Sequence, residues 1–346
     1  MHQVAESQSS SISEKVKSSS QFNVDEVKIK SAPGEKVYFA IILACSVFIW
    51  IGLCMSIIGL IYAILIGFFI LFSHLVFITY IRGSAVKLGP DQFPELYTRC
   101  VELSKRAGLN KTPDFYIMQA GGSLNAFATK FCRSKFVVLF SDLLEACEDS
   151  ESARDMIIGH ELGHIKAGHL RWFFLTAPGM FIPFLGSAYS RAREYTCDRY
   201  GAALCGNEAG AIQGLIVLAV GGKLSAKVNI ANFVSQGHGL NNALMTLGKW
   251  LSSYPPLCDR ISAVSSNAKT QRISYLRGSL GALALLCLIV VLPTGATLVG
   301  WNLLKDKVDN SELVNQEEFE FEEGVAEDLS KSDDYSEYSD EQVESF

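Results

Sequence analysis

The stretch Ser152-Ala153-Arg154-Asp155-Met156-Ile157-Ile158-Gly159-His160-Glu161-Leu162-Gly163-His164 decides the reading of this 346-residue chain. Ser152 and Asp155 have the spacing of a capping box ahead of an apolar run, which predicts a helix beginning at Ser152. On that helix His160 and His164 lie four residues apart, so their imidazoles leave one face and can grip one metal ion. Glu161, about 100° around the helix, can reach a water held there. The pattern H-E-x-x-H therefore points to a zinc ion, one per chain, with Glu161 as the general base on the zinc-bound water. A helix whose two histidines are met by ordinary hydrogen bonds would carry the same letters, so the surroundings must decide.

A hydrolytic zinc site takes three protein ligands and leaves one position open for water. Glu194 is the natural third ligand. The run Arg191-Ala192-Arg193-Glu194-Tyr195-Thr196-Cys197-Asp198 reads as a second helix with Glu194 and Asp198 on one face. Glu194 can then ligate while Asp198 accepts a hydrogen bond from a ligand histidine. A solvated helix with Arg191 and Arg193 paired to those acids would look similar. The metzincin pattern fails, because Ala167 and Leu170 stand where it needs glycine and histidine. The other histidines rank lower. His74 lies in an apolar run where a neighbouring carbonyl can satisfy it, His169 falls five residues past His164 and off the metal face, and His238 is read onto a mobile glycine-flanked loop.

Composition sets the context. Apolar residues make up 49% of the chain and gather in long uncharged runs. Val37 to Ile81 holds no Asp, Glu, Lys or Arg, enough for two membrane helices turning at Ser56 and Gly59, and Gly278 to Leu304 is long enough for a third despite Pro293. Lys28, Lys30, Lys36, Arg82, Lys87, Lys269, Arg272 and Arg277 flank the spans, so the positive-inside rule puts residues 82–277 in the cytoplasm of an inner or plasma membrane, against the mild dissent of Lys305 and Lys307. The net charge of −6 conceals a split: from Asp306 onward there are sixteen acids but only Lys307 and Lys331, a charge of −14, which leaves +8 for the rest. No nucleic-acid partner is expected. The nine cysteines include no C-x-x-C pair, and Cys45, Cys54 and Cys287 fall inside the apolar runs, in keeping with a reduced compartment. The division expected is a disordered serine-rich tail at 1–36, a membrane hairpin at 37–81, a metalloprotease domain at 82–277, a membrane helix at 278–304 and a disordered acidic tail at 305–346. Within the domain, Phe93 to Ala107 predicts a helix stopped by Gly108. Asp114 to Met118 predicts a strand, and Ser123 to Phe131 with Lys135 to Phe140 predicts a hairpin turning at Cys132, Arg133 and Ser134.

Four blocks then resemble the HtpX-like membrane metalloproteases, the peptidase family that includes the CAAX prenyl protease. Asn125-Ala126-Phe127-Ala128-Thr129 is similar to the family's substrate-binding strand, His160 to His164 to its zinc helix, and Arg193-Glu194-Tyr195 with Asp198 and Gly201 to its third-ligand helix. Ser253-Tyr254-Pro255-Pro256-Leu257 with Arg260 and Ile261 resembles its later Ser/Thr-His-Pro-Pro-Leu-x-x-Arg-Ile segment. Two departures stand out. Tyr254 replaces the family's histidine, and only 29 residues, rather than two further spans, separate His164 from Glu194. Trp172 to Ser190, uncharged but carrying Pro178 and Pro183, is too short to cross a bilayer and return, and is read as a membrane-dipping or lid segment.

The resemblance implies an α+β, mostly helical fold: a zincin-type (gluzincin) domain with a small sheet, anchored by transmembrane helices. It implies a zinc metalloendopeptidase acting on protein or peptide substrates, such as damaged or misfolded membrane proteins, beside the lipid bilayer. Glu161 and Tyr254 would be catalytic, Tyr254 as a donor to the oxyanion. Asn125, Ala126, Phe127 and Ala128 would hold an extended substrate by strand addition. A prenyl-protein processing enzyme would need more spans. The competing class is a catalytically silent zinc-containing membrane scaffold working through its acidic tail, and the intact Glu161 speaks against it.

Overall fold

The computed structural model of the chain describes residues 26–265, 276–290, 293–295 and 297–308, which fall into two units divided between Leu280 and Gly281. Among them are three helices long and apolar enough to cross a membrane, Glu35–Met55 (α1), Ile57–Ser84 (α2) and Leu276–Val308. The first two are one uncharged run broken at Ser56, which leaves the helical region (φ −100°, ψ 122°) and whose side chain accepts a hydrogen bond from the Gly59 N–H. The second unit, by itself, contributes helix within its described residues.

The first unit holds one four-stranded sheet in the order β1-β2-β4-β3, built from Val86–Lys87 (β1), Asp114–Met118 (β2), Ala126–Phe131 (β3) and Ser134–Phe140 (β4). Between β1 and β2 runs helix α3, Pro94–Arg106, capped where Gly108 takes φ +67°. β2 and β4 are parallel and the other pairs antiparallel, which leaves β3 as an edge. Phe136, Val137, Val138 and Leu139 of β4 are all buried, because both faces of the sheet are covered. Val137 and Leu139 pack with Ile158 and Leu162 of helix α5, while Phe136 and Val138 pack with Ile78 and Ile81 at the end of α2. The sheet therefore sits directly on the second membrane helix.

After the short α4 (Ser141–Ala146) comes α5, Glu151–Lys166, which carries the H-E-x-x-H stretch. It starts one residue before the predicted Ser152. Ser150 is the cap and accepts from the Ala153 N–H at 3.3 Å; Ser152 lies inside the helix, where its hydroxyl accepts from Asn207, and Asp155 is drawn away to Arg99 at 2.6 and 2.8 Å. α6 (Phe173–Met180) follows, then the long α7 (Leu185–Cys205), which crosses α5 closely. A Cβ on Gly201 would stand 2.5 Å from the Met156 carbonyl oxygen, and one on Gly163 would stand 3.1 Å from the Cys197 Cα. The unit is closed by α8 (Glu208–Val220), the short helices α9 (Gly222–Ser225) and α10 (Ile230–Ser235), α11 (Ala243–Leu251) and α12 (Leu257–Val264).

Several expectations need correction. Ser123, Leu124 and Asn125 precede β3 rather than belonging to it, and the hairpin turns on Cys132 and Arg133 alone, with Ser134 already paired in β4. Residues 26–34, expected in a disordered tail, are hydrogen-bonded to the body of the first unit: Val27 N–H to the Arg106 carbonyl, Ala32 N–H to Thr196 Oγ1, and Arg199 to the carbonyls of Lys30 and Ser31. Residues 1–25 and 309–346, which hold the rest of both tails, lie outside the described residues. His238 stands in a 3₁₀ turn, Gln236–Leu240. In the uncharged segment α6 docks on α1, where Ser46 Oγ donates to the Thr176 carbonyl at 3.2 Å and accepts from the Gly179 N–H at 2.9 Å.

Candidate metal centre

Helical spacing puts His160 and His164 on one face of α5, and the close crossing of α7 brings Glu194 and Asp198 up to them. Glu194 Oε2 lies 3.4 Å from His160 Nε2, and Oε1 lies 3.6 Å from His164 Nε2. On its other side the His160 ring meets Asp198, Nδ1 to Oδ1, at 2.9 Å. Arg260 of α12 clamps that carboxylate, Nε to Oδ2 at 2.8 Å and Nη2 to Oδ1 at 2.6 Å, and also lies 3.7 Å from Glu194.

His160, Glu161, His164, Glu194 and Arg260 line one cavity of about 300 Å³ together with Asn125, Ala126, Phe127, Ala128, Arg193 and Tyr254. Every site residue singled out from the sequence except Asp198 therefore lines a single space, and Asp198 lies directly behind it. The edge strand β3 forms one wall through Ala126, Phe127 and Ala128.

The electrostatics follow from burial among acids. Burial, opposed by His160 and reinforced by Glu194, lifts Glu161 to about 7. Burial alone would depress His160, but the hydrogen bonds and charges of Asp198 and Glu194 outweigh it and raise it to about 10. Glu194 and Asp198 would be raised by burial, yet their basic neighbours, His160 and Arg260 foremost, hold both at about 2. The two ionised acids are matched by protonated His160 and by Arg260, so a metal ion held here would take the place of the His160 Nε2 proton.

The family model described as peptidase family M48 matches residues 90–178 and 173–268, a span just over half of the chain. The chain belongs to peptidase family M48. A plastoglobule-localized metallopeptidase 48 of the Arabidopsis thaliana chloroplast is 25% identical over 179 residues, covering 46% of this chain and 51% of that protein, so the chain spans about half the length of the curated relative it matches. The crystal structure of S. mikatae Ste24p aligns at 17% identity with a TM-score of 0.41, over 67% of this chain and 65% of that one.

In this M48 chain two partners of the centre escape sequence reasoning. Arg260 could have been noticed as the charge closing the Tyr254 segment, but nothing local said that it reaches Asp198. Spacing along a continuing helix predicts His169 off the metal face. Instead α5 ends at Lys166 and Gly168 takes φ +81°, so the chain turns back, the His169 N–H bonds to the His164 carbonyl, and the two rings meet at 3.0 Å, Nδ1 to Nδ1. A glycine two residues past a helix end was the available signal. His74, expected to satisfy itself on a carbonyl, lies 3.0 Å from that of Lys130.

Proposed function

We propose that the protein is a membrane-anchored zinc metalloendopeptidase in which His160, His164 and Glu194 hold the ion and Glu161 is the general base. The observation that carries this reading is the convergence of two imidazole Nε2 atoms on the two oxygens of one glutamate, at 3.4 and 3.6 Å. Ligands about 2.0–2.1 Å from one tetrahedral ion stand about 3.4 Å apart, so the donor set has the spacing of zinc ligation. Cys197 also brings its Sγ within 4.8 Å of ligand atoms of both histidines. It is the weaker candidate: burial first, then the surrounding acids, push its thiol well above the ordinary value.

When bound, such an ion supplies Lewis-acid polarisation of the scissile carbonyl and acidifies a water. Glu161, poised near neutrality, takes the proton of the attacking water and returns it to the leaving amine. Tyr254 donates its hydroxyl to the oxyanion. An extended protein or peptide segment lies along Asn125 to Ala128, where strand addition gives backbone hydrogen bonds with little sequence preference. That suits damaged membrane proteins as substrates, with the catalytic unit facing the cytoplasm. α6 dips into the bilayer beside α1: Ser46 lies eleven residues past the start of α1, about 16 Å along it, and Phe173, Phe174 and Phe181 are exposed.

The test is metal content and cleavage measured together on purified protein. Glu161→Gln is expected to keep about one zinc per chain and lose cleavage, and Glu194→Ala to lose the zinc, while Cys197→Ala keeps both. Proteolysis by a zinc-loaded Glu161→Gln protein would sink the mechanism, and loss of zinc from Cys197→Ala alone would move the third ligand.

A further inference from the structure

We propose that Glu35, the first residue of membrane helix α1, and His169 act together as positioning residues that present His164 to the metal, so that the membrane anchor completes the metal site. The inference rests on the metallopeptidase reading above. It begins from a carboxylate in an unexpected place. Glu35 opens an apolar membrane helix, yet it is buried, and its two oxygens are both used: Oε1 lies 3.1 Å from His169 Nε2, and Oε2 accepts from Thr196 Oγ1, which itself accepts from the Ala32 N–H at 2.7 Å. His169 is buried too, and its other nitrogen faces His164 Nδ1 at 3.0 Å and Cys197 Sγ at 3.7 Å.

The protons along this chain can be placed by elimination. An ionised carboxylate only accepts, so His169 Nε2 carries its proton toward Glu35. In neutral His169 that leaves Nδ1 bare, facing two groups that can donate, the His164 Nδ1–H and the Cys197 thiol. His164 must then hold its proton on Nδ1 and present a bare Nε2, the atom 3.6 Å from Glu194. His160 is oriented by a shorter route: Asp198 takes its Nδ1–H, which leaves Nε2, the atom 3.4 Å from Glu194, as the one turned to the metal position. The two ligand imidazoles are thus set by two carboxylates, one from α7 acting directly and one from α1 acting through His169. Partners of this kind, one contact behind the ligands, govern affinity about 10- to 100-fold.

The experiment measures zinc affinity of full-length protein in detergent by competition with a chelating indicator, alongside the thermal unfolding of the metal-free form. His169→Phe removes the acceptor and is expected to weaken zinc binding about 10- to 100-fold. His169→Asn keeps an acceptor oxygen near the Nδ1 position and should recover most of that loss, whereas His169→Gln, which mimics only Nε2, should not. Glu35→Ala, at the far end of the chain of contacts, should weaken binding about tenfold. A merely structural role would order the variants by unfolding temperature and would not separate Asn from Gln. Wild-type affinity in both His169→Phe and Glu35→Ala, or equal losses in Asn and Gln, overturns the proposal. Should His169→Phe fail to fold, the Asn, Gln and Glu35→Ala proteins still decide. His160→Ala is the reference: if wild-type and His160→Ala bind zinc equally poorly, the metallopeptidase reading itself has failed.

Discussion

Tyr254 stands at the rim of the cavity that holds His160, Glu161, His164 and Glu194, with 67% of its surface exposed. The part of it that is covered at the rim, then the charges of Glu194 and Glu161, raise its hydroxyl above the ordinary value, so it stays a proton donor across the working range. A donor aimed at charge that develops only during reaction is worth about 10²- to 10³-fold in turnover. Tyr254→Phe is therefore expected to keep zinc and substrate binding while lowering kcat by that factor; a kcat equal to wild type at matched zinc content would leave Tyr254 as a packing residue against Pro255 and Pro256. Tyr254 and Asn125 to Ala128 are legible only through the resemblance of their segments, whereas the residues of the metal centre are legible by spacing. His160, Glu161, His164, Glu194 and Asp198 are related by helical periodicity, which is local. Arg260, His169 and Glu35 are not, since each reaches the site through a turn or a long-range contact that spacing does not encode.

At the level of elements, the site depends on how closely α7 approaches α5. The two helices meet through Gly159 and Gly163 on one side and Gly201 on the other, and this brings Glu194 to within 3.4 Å of His160. Because the Cβ of an alanine at Gly201 would meet a backbone oxygen at 2.5 Å, the strain cannot be relieved by rotating a side chain. Gly201→Ala should cost about 1–3 kcal/mol of stability, and it should weaken zinc binding although no ligand is touched. Thermal unfolding in detergent with a parallel zinc titration checks both; an unchanged Tm would mean that the helices part without cost. Periodicity also explains which elements were legible. β2 and the α1 and α2 spans were readable from runs of four or more apolar residues with clear stops. The start of α5 was missed by one residue because Ser150 and Ser152 are both acceptable caps, and the choice fell to the tertiary pairing of Asp155 with Arg99.

For the molecule in its membrane, the α1–α2 hairpin sets the geometry. Its two ends both belong to the catalytic side: Glu35 at the start of α1 meets His169, and Ile78 and Ile81 near the end of α2 lie under the sheet. α2 has 28 residues, about 42 Å of helix, against a hydrocarbon core of about 30 Å. Its last turns can therefore stand clear of the core, which is where Ile78 and Ile81 carry the sheet. The Ser56 turn must then emerge on the opposite face. Lys28, Lys30, Lys36, Arg82 and Lys87 all flank the catalytic ends, and none flanks Ser56, so the positive-inside rule predicts that the catalytic side faces the cytoplasm. The prediction is made for sealed vesicles of known orientation, with Cys45, Cys54, Cys132 and Cys287 replaced by serine to silence the partly and fully exposed thiols. A cysteine at Ser56 should react with a membrane-impermeant maleimide applied to the non-cytoplasmic face. One at Lys87, whose side chain is 57% exposed, should react only after the vesicles are opened. The reverse pattern would invert the assignment while leaving the hairpin intact. Reaction of both from one side would break the hairpin, and with it the argument that α1 and α2 carry the catalytic unit on one face of the bilayer.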